Sequence, residues 1–185
     1  MKRNGFSLVE LVLVIVILGV LAVTAAPKFL NFQQSARVSV IQGISGAMKS
    51  TITQVVAKSY LSGLSPSATN PANQSDFLVN FEFGSVEVDW GNLCPESVGE
   101  EGDRLTMVDF LHISDDENIK SLAGNRYTVV GFNFPFKSKH ELKGSDIIDL
   151  PQGCYAIYDS FGRSSPEQCP ADGCVCNVKV EVSGC

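Results

Sequence analysis

The amino-acid sequence predicts an α+β protein in which a long N-terminal helix packs on an antiparallel β-sheet formed by the C-terminal half. An unbroken apolar run extends from Leu11 to Val23, and residues 28–61 continue it with apolar side chains at helical spacing. Residues 62–185 then contain several runs in which apolar and polar residues alternate, as in half-buried strands. Six cysteines in that half predict a region stapled by disulfides.

The apolar segment is long enough to span a membrane. Residues 6–26 form a helix of roughly 31 Å, about one hydrocarbon core. Thirteen of these residues are Leu, Ile or Val, which favours insertion by roughly 4–8 kcal/mol and outweighs the cost of about 3 kcal/mol for the one acid, Glu10. Lys2 and Arg3 precede the segment, so we expect a cytoplasmic N-terminus and export of the remainder. A cleaved secretory signal is the alternative, but its apolar core would span only about 7–15 residues.

The first residues resemble the leader and cleavage site of type IV pilins and type II secretion pseudopilins. The segment reads Lys2-Arg-Asn-Gly5 followed by Phe6-Ser-Leu-Val-Glu10-Leu. The resemblance implies that residues 1–5 are a leader, that a prepilin peptidase cuts between Gly5 and Phe6, and that the same enzyme methylates Phe6. It also implies that residues 6–26 anchor the chain in the inner membrane and later form the core of a filament.

Glu10 is an acid inside an apolar helix and needs a physical explanation. A charge at such a position is tolerated when it meets a partner, and the new α-amino group of an adjacent subunit is one. That pairing would favour one axial register of the filament. The alternative is an acid that snorkels to the membrane surface.

Gly19 and Pro27 are positions where the helix is expected to loosen. Glycine weakens a helix by about 1 kcal/mol relative to alanine, and proline removes a backbone donor. Residues 27–61 read as the amphipathic half of the helix, and residues 25–37 resemble the mannose-sensitive haemagglutinin (MSHA) branch of type IVa pilins. The expected core stripe consists of Ile41, Ile44, Met48 and Val55, with Val40, Ala47 and Ile52 beside them.

Residues 62–185 are predicted to form one β-rich globular head, which begins with a Ser/Pro/Asn-rich loop at 62–74. Residues 104–113 are a candidate for a short helix. The predicted strands are Phe77–Phe83, Val86–Trp90, Tyr127–Phe136, Gly153–Tyr158 and Cys174–Val182.

The cysteines should be oxidised in an exported chain. They are Cys94, Cys154, Cys169, Cys174, Cys176 and Cys185. Six cysteines allow 15 pairings, and the sequence disfavours only a bridge between Cys174 and Cys176, whose side chains share one face of a strand. Zinc binding by the last four is the alternative, but their spacing fits no common zinc site. The resemblance to pilins implies a staple in the region between Cys154 and Cys185.

Other candidate sites are weaker. Residues 115–118 read Asp-Asp-Glu-Asn and suit either a calcium loop or a solvated acidic loop, which we favour because the spacing matches no EF-hand. Lys137, Lys139, His140 and Lys143 form a basic cluster in a strongly acidic chain, in which 12 basic side chains face 20 acidic ones after removal of residues 1–5. We therefore expect no nucleic-acid partner, no cofactor and no metal, and no catalytic motif indicates an enzyme.

These observations predict a structural subunit that polymerises with itself into an MSHA-type pilus for surface attachment. The resemblance implies three further partners: the prepilin peptidase, the inner-membrane assembly machinery and an unidentified surface receptor. The chain would reside in the bacterial inner membrane and then in an extracellular pilus. A type II pseudopilin or minor pilin is the alternative within the superfamily, and a membrane-anchored DNA-uptake receptor is the alternative from another class.

Overall fold

The computed structural model describes residues 7–69, 71, 74–99, 104–113, 118–143, 147, 149–162 and 175–185. The chain divides into an N-terminal unit, Met1–Arg37, and a C-terminal unit, Val38–Cys185. The elements are α1 (Leu8–Leu61), β1 (Leu78–Phe81), β2 (Gly84–Glu87), α2 (Met107–Leu111), β3 (Lys120–Ala123), β4 (Tyr127–Asn133), β5 (Cys154–Asp159) and β6 (Asn177–Glu181). Short 3-10 turns occupy Gln74–Phe77 and Lys139–Leu142.

The predicted fold class is confirmed. The C-terminal part of α1 packs on an antiparallel four-stranded sheet in the order β3-β4-β5-β6. A separate antiparallel hairpin consists of β1 and β2. Helix α1 ends at Leu61, where a left-handed Gly63 (φ +84°) follows and helix-terminal carbonyls accept bonds from the amides of residues 62–64.

One stripe of α1 forms the centre of the core. Ile41 and Met48 are fully buried and pack in one cluster with Val130, Ala156 and Tyr158 of the sheet. Burial of each such large apolar side chain contributes about 1.5–3 kcal/mol. This cluster attaches the sheet to the helix.

The predicted stripe was wrong at two of its flanking positions. Val40 is 39% exposed and Ala47 is also exposed, whereas Ser45, Thr51 and Ser59 are buried. Small hydroxyl side chains fit where the helix lies close to its neighbours, and the Ser59 hydroxyl donates to the carbonyl of Val55 at 2.8 Å. The buried face of α1 therefore includes hydroxyl residues, which apolar spacing alone does not predict.

The last turns of α1 pack on the hairpin. Val55 forms a second fully buried cluster with Val79, Val86, Val88 and Leu93. The two clusters follow one another along the same helix face, so α1 carries both the four-stranded sheet and the hairpin.

The predicted strand Phe77–Phe83 is shorter than its alternating pattern suggested. Strand β1 ends at Phe81, and Phe83 lies in the turn of the hairpin, where it is 60% exposed. Gly84 adopts φ +150°, and a Cβ there would approach the Leu105 side chain to 2.9 Å. The chain therefore turns at a position that only glycine occupies without strain.

The sheet is covered on its second face as well. Tyr155 and Ile157 of β5 cluster there with Tyr127, Val129 and Leu142. All six residues of β5 are buried, because successive side chains point to opposite faces and both faces are packed. Three other predicted elements are shorter in the structure: the helix at 104–113 is α2, and the strands at 127–136 and 174–182 are β4 and β6. The strand predicted at 86–90 is shifted toward the N-terminus and is β2. Strand β3 was not predicted.

Two disulfides close the C-terminal unit among the described residues. Cys94 is bonded to Cys176 and Cys154 to Cys185, across sequence separations of 82 and 31 residues. Loops of this length are expected to stabilise the fold by about 4 kcal/mol each through the entropy of the unfolded chain. Cys176 thus pairs with a distant residue and not with Cys174, in agreement with the prediction that a bridge between those two would be strained. Cys169 and Cys174 lie outside the described residues.

A buried ion pair fixes the end of β5. Arg126 donates from Nε and Nη2 to the two carboxylate oxygens of Asp159, both at 2.9 Å, and the Arg126 side chain is 2% exposed. The Asp159 Oδ1 atom also accepts from the backbone amides of Phe161 and Gly162. The Arg126 carbonyl accepts from the Ser160 hydroxyl and amide. The chain leaving β5 is therefore held by side-chain charge and backbone bonds together.

Replacing the carboxylate of this pair is expected to destabilise the C-terminal unit. Asp159→Asn leaves the buried Arg126 charge without this counter-ion and should lower the free energy of unfolding by about 3–5 kcal/mol. Urea unfolding of the full chain in detergent measures this change, with Asp149→Asn at an exposed loop acid as the control. Equal unfolding midpoints for the two variants would contradict the assigned role.

Alkaline pH is expected to weaken the same unit. Burial first, and then the Glu181 carboxylate, raises the pKa of Tyr155 to about 12. The unfolded chain releases this proton near pH 10, so the corresponding stability is complete below pH 10 and is lost as pH rises to about 12, by up to about 2–3 kcal/mol. Tyr155→Phe should reduce the loss of unfolding free energy between pH 10 and 12. Tyr60→Phe, which removes the hydroxyl of a 55% exposed side chain, is the control and should not change that loss. The prediction would be overturned if the wild type and both variants lost unfolding free energy equally with pH.

Candidate functional site

The candidate site is the N-terminal part of α1, where the sequence placed processing and assembly. The helix begins at Leu8, and the Ser7 carbonyl accepts from the Leu11 amide at 3.2 Å, which places Ser7 at the N-cap position. The Ser7 hydroxyl accepts from the backbone amide of Val9 at 3.3 Å, and Glu10 Oε2 accepts from the backbone amide of Ser7 at 2.9 Å. Ser7 and Glu10 thus satisfy two of the amides that a helix start leaves without partners.

Glu10 therefore has a role within its own chain that the sequence reasoning missed. The pattern Ser-x-x-Glu directly before an apolar run is the signal that predicts such a cap. A carboxylate in the first turn is also favoured by the helix dipole. Glu10 is exposed, and within the described residues its hydrogen bond to Ser7 uses only Oε2. The other oxygen remains accessible to a further donor.

The surface that follows is apolar on every side. Each large apolar residue from Leu8 to Val23 is between 45% and 77% exposed. Among the described residues, α1 is the one helix long and apolar enough to cross a membrane, and none of its most apolar window is buried. The length and composition of this segment fit a membrane anchor. In water, an apolar surface of this size would be unfavourable unless lipid or another protein buried it.

Gly19 and Pro27 both lie inside α1. A Cβ at Gly19 would meet nothing within 4 Å, so no contact within the chain requires glycine there. Pro27 lacks an amide hydrogen and cannot donate to the carbonyl of Val23, yet the helix continues past it. Loosening at these two positions in an assembly stays a prediction.

Several predicted residues lie outside the described structure. They are Gly5, Phe6, Cys169, Cys174 and the acidic residues 115–117. The cleavage site and the calcium alternative therefore stay sequence predictions. Among the described residues, no group of three His, Cys, Asp or Glu side chains is arranged to hold a metal.

The basic cluster is one exposed turn. Lys137, Lys139, His140 and Lys143 are all exposed around the 3-10 turn at 139–142. Glu141 lies among them, and its carboxylate accepts from the backbone amide of Lys137 at 3.2 Å. An acid within the cluster lowers its positive charge, which weakens its use as a surface for phosphate backbones.

Comparison with known proteins identifies the N-terminal segment. Residues 1–26 match the family model described as the prokaryotic N-terminal methylation motif, which occurs in type IV pilins and pseudopilins. No curated protein and no solved structure gives a significant match to the chain. The motif supports a pilin-like or pseudopilin precursor, processed by a prepilin peptidase, and points to a structural protein rather than an enzyme.

The cap and the charge of Glu10 can be separated by substitution. Glu10→Gln keeps an oxygen that accepts from the Ser7 amide, whereas Glu10→Ala removes it and should cost about 1 kcal/mol of local helix stability. Hydrogen exchange at residues 7–11 of the full chain in micelles measures this. We expect faster exchange in Glu10→Ala and little change in Glu10→Gln. Equal exchange in both variants would contradict the cap.

Proposed function

We propose that this chain is a pilin of an MSHA-type type IV pilus, cleaved between Gly5 and Phe6, methylated at Phe6 and polymerised with copies of itself. The observation that carries the proposal is the methylation motif directly ahead of a helix whose apolar surface is uncovered from Leu8 to Val23. Bilayer lipid covers that surface before assembly, and the helices of other copies cover it afterwards. The inner-membrane assembly machinery transfers the subunit between these two environments.

The C-terminal unit suits a subunit exposed outside the cell. Its core is packed on both faces of a sheet, and two disulfides connect distant parts of its chain. Covalent cross-links of this kind form and persist in oxidising compartments. Adhesion to surfaces follows from the resemblance to the MSHA branch, and the receptor would be met by this unit.

Two other functions compete with this proposal. A type II pseudopilin or minor pilin would carry the same motif and the same uncovered helix. A DNA-uptake receptor would use the exposed basic turn at 137–143, although Glu141 reduces its charge. Salt-sensitive DNA binding that is lost when Lys137, Lys139 and Lys143 are neutralised would favour the receptor.

Surface material should carry the processed N-terminus. Mass spectrometry of sheared filaments is expected to find N-methyl-Phe6 at the start of the chain, with this chain as the main component. A trace amount of the chain in those filaments would favour a minor pilin. An intact Met1 in surface material would contradict the processing itself.

Assembly should depend on the charge of Glu10 and not only on its cap. Glu10→Ala and Glu10→Gln are both expected to insert in the membrane, since the apolar run alone suffices, and both should assemble poorly because neither can pair with the α-amino group of a neighbour. Filament yield and membrane-bound subunit are measured in the same cells. Normal filaments from Glu10→Gln would reduce Glu10 to a helix cap and overturn the charge-pairing proposal.

A further inference from the structure

A groove runs along one flank of α1 within the C-terminal unit. Its volume is about 540 Å³. Val175, at its edge, is 71% exposed, and Tyr60 is 55% exposed. The apolar residues that line it are mainly Ile52, Val56, Ala57, Tyr60, Pro66 and Val175. A concave apolar surface of this size is suited to receive a large side chain from a partner.

An exposed ring lies at a fixed position elsewhere on the same unit. Phe83 occupies the turn between β1 and β2, and its ring centroid lies 5.5 Å from those of both Phe81 and Phe110. Phe81 and Phe110 also contact each other edge to face at 5.4 Å. Contacts with two other rings hold Phe83 in place while 60% of it stays exposed. A rigid exposed aromatic of this kind loses little entropy when it binds.

The ring cluster and the groove lie on opposite flanks of α1. The Lys58 ammonium lies 4.5 Å from the centre of the Phe81 ring, so Lys58 marks the flank that carries the ring cluster. At 100° per residue, Lys58 points about 170° away from the centre of the α1 residues that line the groove. One copy therefore presents an aromatic projection on one side and an apolar recess on the other.

Charges beside the two features are complementary. Glu82 precedes Phe83 in the hairpin turn and is exposed. Lys49 is exposed one helical turn before the groove residue Thr53, on the same face of α1. An acid beside the projection and a base beside the recess favour their approach and fix its direction.

We propose that the Phe83 turn of one copy inserts into the α1 groove of a second copy, with Glu82 meeting Lys49. This contact rests on the proposed function, because it joins C-terminal units of neighbouring subunits. Two different surfaces of one chain make a heterologous contact, which repeats from copy to copy and yields an open helical filament unless the rotation closes a ring. The contact thus gives the C-terminal units their own contribution to polymerisation, separate from that of the apolar helix.

A photo-activated cross-linker tests the contact directly. The full chain with p-benzoyl-phenylalanine in place of Phe83 is irradiated in cells that carry filaments. We expect a cross-linked dimer of this chain whose linked peptide falls within residues 49–60 or at Val175. Cross-links to other parts of the chain, to other proteins, or none at all would overturn the contact. Filaments that carry N-methyl-Phe6 in the same cells would show that the proposed function stands regardless.

Substitutions on each side provide a second test. Phe83→Ser removes the projection, and Ala57→Trp fills the groove. Both substitutions are at exposed positions, so both chains should fold, which urea unfolding midpoints will check. Each substitution should lower filament yield at least about tenfold. Leu61→Ser, at an 88% exposed position outside the groove, is the matched control and should leave the yield unchanged. Wild-type yields from Phe83→Ser and Ala57→Trp would overturn the contact.

A charge reversal identifies the partners. Glu82→Lys and Lys49→Glu should each lower the yield by about two- to fivefold, since each places like charges opposite one another. The double variant should recover it, because it restores the pair with its direction reversed. Losses that add in the double variant would overturn the assignment of Glu82 to Lys49.

Discussion

The C-terminal unit depends on the burial of one narrow stripe of α1. Ile41 and Met48 join the helix to the four-stranded sheet, and Val55 joins it to the β1-β2 hairpin. Because the stripe occupies only one face, both flanks of the helix remain open near its C-terminal end. The hairpin turn with Phe83 projects on one flank and the groove lies on the other. The positions of both proposed contact surfaces thus follow from how the helix is packed.

Much of this architecture could be predicted from periodicity, and the failures have identifiable causes. The end of α1 follows from the Ser/Pro/Asn-rich segment at 62–74, and the buried positions Ile41, Met48 and Val55 follow from helical spacing. Strand β3 reads Lys-Ser-Leu-Ala, with neither alternation nor β-branched residues, so its pairing with β4 supplies what its sequence does not. Phe83 was assigned to a strand because the alternating pattern continues through it, and no usual turn residue precedes Gly84 to indicate that the chain turns there. The cysteine pairs could not be deduced, since pairing depends on which loops the fold brings together.

The candidate site was predicted in a different way. The proposed cleavage site, Gly5 and Phe6, depends on recognition by a processing enzyme, so resemblance to the methylation motif suggests it and no physical property of the chain could. The sequence predicts an intersubunit partner for Glu10, whereas the structure shows a local one, because its carboxylate accepts from the Ser7 amide. In the proposed membrane-anchored subunit, this bond gives the carboxylate a hydrogen-bond donor before a neighbour arrives. The proposed intersubunit pairing would use the same carboxylate, through the oxygen that the cap leaves accessible.

The disulfide between Cys94 and Cys176 has a mechanical consequence. It joins residues 82 positions apart, and that span includes strands β3, β4 and β5. Under tension, a chain releases about 3.3–3.6 Å of contour per residue that unravels, so this bond withholds roughly 280 Å of extension. The bond between Cys154 and Cys185 overlaps the same loop and bypasses the segment that follows β5. A pulled subunit can therefore lengthen mainly through residues before Cys94, and its sheet can lose its packing without the polypeptide being drawn out.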